Sequence, residues 1–165
     1  MNRLIAHFQM MARYNRLANE RLYDCCARLS DAERKKNRQA FFKSIHGTLN
    51  HIMVGDRIWM TRFEGGTASS AHLDATLYDD FDELRAARIR EDERIERFAA
   101  RLSEEFLDGE FAWTSGDGKS HRQPRRVLLA HLFNHQTHHR GQVHDMLSQA
   151  GIATPVLDLP WVLAP

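Results

Sequence analysis

Apolar residues recur along most of this chain at the three-and-four spacing of amphipathic helices. Leu4, Phe8, Met11, Asn15, Ala18, Leu22, Cys25 and Leu29 form one seam with Asn15 as its polar break, and Ser30-Asp31 reads as a stop and turn. A second helix is predicted from Ala40 to Phe63, burying Phe41, Ile45, Ile52, Trp59 and Phe63 and ending at Gly65-Gly66, with Thr67 to Asp74 as an exposed loop. A third is predicted from Asp79 to Phe106 on Phe81, Leu84, Ile95, Phe98 and Leu102, with Arg88 and Glu91 falling on the same seam. The period then breaks: FAWTSGDGKSHRQ alternates around Asp117-Gly118, a two-residue turn signal, which predicts a ribbon from about Glu110 to Arg122. Pro124 opens a fourth helix on Val127, Leu128, Leu132, Val143, Met146 and Leu147, closed by Gly151. The tail ATPVLDLPWVLAP is too rich in proline for a helix and is expected as extended chain. The pattern predicts an all-α fold: an antiparallel four-helix bundle in one domain over residues 1–165, with a small β-hairpin between the third and fourth helices and an extended C-terminal tail.

Composition narrows the partners. Formal net charge is +1, and Lys and Arg are interspersed with Asp and Glu, so no electrostatic footprint points to nucleic acid. The start carries no signal-peptide core and no run is long and apolar enough to span a bilayer, so no membrane partner is expected. Cys25 and Cys26 are the only cysteines, and being adjacent they make no disulfide framework. A reduced, cytoplasmic setting is the simplest expectation.

The chemistry concentrates in HLFNHQTHHRGQ, which holds His131, His135, His138 and His139 on the fourth helix. Imidazole is a frequent metal ligand, and two rings four positions apart lie above one another on one helix face. On a wheel of about 100° per residue, His135 and His139 share the inward face with Leu128, Leu132, Gln142 and Met146, whereas His131 and His138 fall at its margins. A third ligand would leave an open position on a zinc-like ion. His51 is the best candidate, because Gly47 and Gly55 flank it at four-residue spacing, cost helix stability and leave room beside the ring. His46 points almost opposite and is assigned to the surface; His7, His72, His121 and His144 read as exposed. The alternative for each ring is a core histidine with a satisfied hydrogen bond.

Other chemistries find less support. There is no H-E-x-x-H, no Glu-x-x-His, no P-loop, no G-x-S-x-G and no C-x-x-C. Cys25 reads as a buried seam residue, and Trp59, Trp113 and Trp161 as packing residues. Arg88 and Glu91 read as an internal ion pair before an anion-orienting one.

Three segments, YNRLANERLYD, SIHGTLNHIMVGDRIWMTRF and HLFNHQTHHRGQVHDML, with DLP near the end, resemble in their order the DinB/YfiT-like family of small metal-binding bundle proteins. The resemblance covers nearly the whole chain. It implies a divalent ion on His51, His135 and His139, the set the helical wheel selects, and a homodimer packed through its helices. It also implies a metal-dependent enzyme acting on a small-molecule substrate, either an S-transferase using a low-molecular-weight thiol or a hydrolase. The rival is a non-catalytic metal-binding or helical dimerisation module in a stress response. Nickel or zinc is the expected ion, with iron a further candidate. Asn15, Arg140 and Gln142 are candidates for orienting the ligands from behind, Asn15 equally reading as a core asparagine that specifies the bundle.

Overall fold

The computed structural model describes residues 2–68, 72–115 and 117–164. Residues 69–71 of the predicted exposed loop and residue 116 beside the predicted hairpin turn lie outside these. Helix α1 (Arg3–Cys26) starts at an Asn2 cap and α3 (Ile45–Phe63) at a Ser44 cap, each side chain accepting a backbone N–H of the first turn. Asp80 caps α4 (Phe81–Ala100) in the same way, and α6 (Arg125–Gln149) follows directly on Pro124. Between these long helices lie α2 (Asp31–Lys35), α5 (Glu104–Asp108) and the antiparallel strands β1 (Glu110–Thr114) and β2 (Ser120–Pro124).

The four long helices form the predicted bundle with the predicted hairpin. Helix α1 runs antiparallel to α4, with Asn19 on Asp92 and Gln9 on Ala99, and α3 runs antiparallel to α6. The other two sides are parallel: Phe8 stacks on Phe133 and Asn15 meets Arg140 across α1 and α6, while Asp56 meets Arg88 and Phe63 stacks on Phe98 across α3 and α4. Two parallel neighbours need a connection that returns along the bundle. Residues 72–80 before α4 therefore run back beside α3, which sets Leu73 and Tyr78 against residues of that helix.

Several sequence expectations shift at element boundaries. Ser30 caps the short α2 rather than ending in a plain turn. The second long helix begins at Ile45, and Phe41, predicted to be buried, is 85% exposed on the turn before it. Leu4 and Val127, placed on buried seams, are also exposed, because each sits in a first helical turn at an end of the bundle where no neighbour covers it. The third helix stops at Ala100, and Ser103 restarts the chain as α5 by capping Phe106. The tail contains α7 (Leu159–Val162) with Pro160 in its first turn, the one part of a helix where a missing N–H is harmless. Gly118 and Gly151 take positive φ at the hairpin and at the end of α6, as predicted.

The core has two apolar layers. One holds Leu22, Ile45, Leu49, Leu84 and Leu147; the other holds Phe8, Met60, Ile95, Leu129 and Leu132. Between them each long helix contributes polar residues at the same level: Asn15 and Asn19, Asp56, Arg88 and Asp92, Gln136 and Arg140, all buried. Arg88 and Gln136 both donate to Asp56 Oδ2, and Arg140 donates to Asn15, Asn19 and Gln136. Arg88 Nη2 lies 3.0 Å from Asp92 Oδ1, close enough for an ion pair but poorly aligned as a hydrogen bond. The expected Arg88–Glu91 pair does not form: three positions apart in the helix, Glu91 turns outward to Arg94, and Arg88 faces two buried carboxylates instead. Burial pushes the Asp56 carboxyl up to about 7, with Arg88 pulling the other way. Among the described residues no helix is long and apolar enough to cross a membrane.

Candidate metal centre

His51 on α3 and His135 and His139 on α6 meet beside this polar belt. His51 Nε2 lies 3.0 Å from His135 Nε2 and 3.2 Å from His139 Nε2. The ligand atoms of all three lie within 4.8 Å of one another, close enough to hold one metal ion. His135 and His139 are one helical turn apart, which stacks their ring centroids at 4.4 Å. His138 turns away at the margin, and its Nε2 accepts from Gln142.

The outer nitrogens fix the tautomers of two rings. His51 Nδ1 donates to the Leu73 carbonyl at 2.6 Å, and His139 Nδ1 donates to Gln142 Oε1 at 2.8 Å. Each Nδ1 thus carries the proton, and each Nε2 presents a lone pair to the same point. Two acceptors facing each other at 3.2 Å have no hydrogen bond to make between them. A cation answers this arrangement. Imidazole nitrogens about 2.0–2.1 Å from a tetrahedral zinc would stand about 3.3 Å apart, close to the separations seen. His135 Nδ1 is buried without a partner, so no neighbour fixes that ring's proton.

Electrostatics keeps the rings neutral. Burial pushes the His135 imidazole down to about 3, and the neighbouring His139 and His51 rings add to that shift. Burial also lowers His51 and His139, opposed by their Leu73 and Gln142 hydrogen bonds. Neutral imidazole is the ligand form.

The two glycines flanking His51 have separate reasons. A Cβ on Gly55 would stand 2.8 Å from His135 Cε1, so this glycine makes space for the His135 ring. A Cβ on Gly47 would stand 2.3 Å from the Phe42 carbonyl oxygen, so this one admits backbone rather than an imidazole. The Phe42 turn is held by Gln39 and Lys43 at positive φ, a conformation costing about 1 kcal/mol for a residue with a side chain. It lays the Phe42 ring flat on His51, centroids 3.7 Å apart.

The remaining sequence candidates separate. Gln142 touches His139, but Asn15 and Arg140 hydrogen-bond within the belt and to no ring of the triad. His46 is buried and bonds the Tyr78 carbonyl, against the surface role expected, because the returning connector covers it. His144, expected in solvent, meets the Pro155 carbonyl of the tail. His131 packs edge-on to Trp59. Leu73 and Phe42 were invisible to spacing arguments, since their roles come from a carbonyl and a turn.

The DinB family model matches residues 1–165. The chain belongs to the DinB family. Protein DinB of Bacillus subtilis (strain 168) is 29% identical over 154 residues, covering 88% of this chain and 87% of that one. The crystal structure of a DinB-like protein from Bacillus cereus ATCC 10987 has a similar fold, with a TM-score of 0.59 at 18% identity over 84% of this chain and 89% of that one.

Proposed function

We propose that this DinB-family protein is a divalent-metal-dependent enzyme, with His51, His135 and His139 holding nickel or zinc. The observation that carries this reading is the pair of proton-free Nε2 atoms, on His51 and His139, turned toward each other with their Nδ1 protons pinned elsewhere. A divalent cation on three neutral imidazoles keeps its full charge and acidifies a bound water or low-molecular-weight thiol. That supports hydrolysis in the first case and S-transfer in the second.

The chain's own residues support the remaining tasks. Leu73 and Gln142 orient two rings, and Phe42 shields one side of His51. On another side a cavity reaches His51 and His135, and among the described residues no carboxylate lines it. His131 also lines it, its imidazole pushed down from the ordinary value by partial burial, and it can serve as a base there.

Elemental analysis of untagged protein should find about one ion per chain, falling below about a tenth in His135→Ala. The loaded protein should then turn over either thiol-plus-electrophile pairs or ester and amide substrates, and His135→Ala should not. Wild-type protein without stoichiometric metal would overturn the reading. Metal without turnover across both panels would leave a non-catalytic binding module in its place.

A further inference from the structure

The cavity beside the triad has about 280 Å³ of space, enough for a single-ring molecule. His51, Gly55, Ile58 and Arg62 lie at positions that bring them within about 60° of one another on α3, so one helix face runs from the proposed metal ligand to a guanidinium. The eleven steps from His51 to Arg62 span about 16 Å of helix rise, and helical side chains lean toward the N-terminus, which brings Arg62 back toward the histidines. Its guanidinium carbon sits 5.0 Å from the Trp59 ring centroid, and Trp113 meets Trp59 edge-on at 5.5 Å.

Arg62 is only 8% exposed. Burial disfavours its charge, and among the described residues no acidic side chain acts on it to offset that cost. The other buried arginines differ: Arg88 faces Asp56 and Asp92, and Arg140 is held by belt amides with Asp92 nearby. A guanidinium in an aromatic cavity with no carboxylate partner is set to receive an anion from outside the chain.

We infer that this cavity binds a small carboxylate with a planar, apolar body, its anionic group on Arg62, its ring against Trp59 and Trp113, and its other end toward His51 and His135. This rests on the metal-enzyme reading for what happens at that other end, and names the substrate class for it.

Calorimetric titration of zinc-loaded protein with benzoate and with its neutral isostere benzamide tests the inference. Benzoate should bind at least about tenfold tighter than benzamide, which needs no variant to measure. Arg62→Gln should remove that preference, Arg62→Lys should restore part of it, and Trp59→Leu should weaken both ligands alike. Equal affinity for the two ligands, or a benzoate preference untouched by Arg62→Gln, overturns the inference, the latter because the carboxylate would then sit on the metal. The zinc content of the same samples is read in parallel. Wild-type protein that holds no zinc but still prefers benzoate through Arg62 would sink the metal reading and leave the anion site standing.

Discussion

His135 and Gln136 are neighbours on α6, yet they serve polar clusters of opposite design. Gln136, with Arg140, joins a belt whose two carboxylates, Asp56 and Asp92, face two guanidiniums, Arg88 and Arg140. Apart from Asp56 Oδ1 and two poorly served Arg88 nitrogens, that belt satisfies itself. His135, with His139, joins a cluster of like groups in which the Nε2 lone pairs of His51 and His139 converge and the protons of those two rings are held outside it. The belt is the more deeply buried of the two, so burial of polar groups alone does not mark a site. What marks it is whether donors and acceptors balance. The belt is balanced and structural; in the triad the Nε2 acceptors of His51 and His139 face each other with no donor between them.

The comparison can be broken at either cluster. The largest effect is expected in the belt: Arg88→Met leaves Asp56 and Asp92 buried without their cation and should cost about 3–5 kcal/mol in urea unfolding. Metal content per folded chain should stay near wild type. Loss of metal in step with stability would mean the two clusters are one unit. Next, Gln142→Leu removes the acceptor behind His139 and should weaken metal binding about 10–100-fold by competition with a chromophoric chelator. Unfolding of the metal-free form should move by less than about 0.5 kcal/mol. An unchanged affinity would show that the His139 tautomer is set by something else.

The smallest effect near neutrality is the pH response of metal-free protein. An imidazole of ordinary value 6.5 in the unfolded chain takes up a proton before folded His135, held down to about 3. Its contribution to stability is therefore complete above 6.5 and drains as pH falls toward 3. Between pH 7 and 6 the loss from one such ring is on the order of 0.5 kcal/mol, and it grows on further acidification. His135→Leu should flatten that slope in denaturation curves taken across the range. A slope unchanged by the substitution would assign acid sensitivity to the belt.

Much of this was legible along the chain because helical period carries it. Leu128, Leu132, Val143 and Met146 define an inward face, and that same face selects His135 and His139 over His138. Asn15 and Arg88 announced a polar layer as breaks in apolar seams, but Asp56, Asp92 and Gln136 did not, and Arg88 was given the wrong partner. Period locates a residue on its own helix and says nothing of which neighbour it meets. That requires knowing that α3 and α4 run parallel, a property of the connections rather than of any face. Arg62 lies on the His51 face but reads as an ordinary solvated arginine until the Trp59 and Trp113 walls close around it.

The returning segment between α3 and α4 has one more effect. His51 keeps its proton on the outer nitrogen only while the Leu73 backbone stands beside it. Loosening that stretch of chain frees the imidazole to exchange tautomers, and its inward lone pair is lost part of the time without any change in the helices. Lengthening or retuning this hook should thus redistribute the His51 proton between its two nitrogens while the scaffold stays the same.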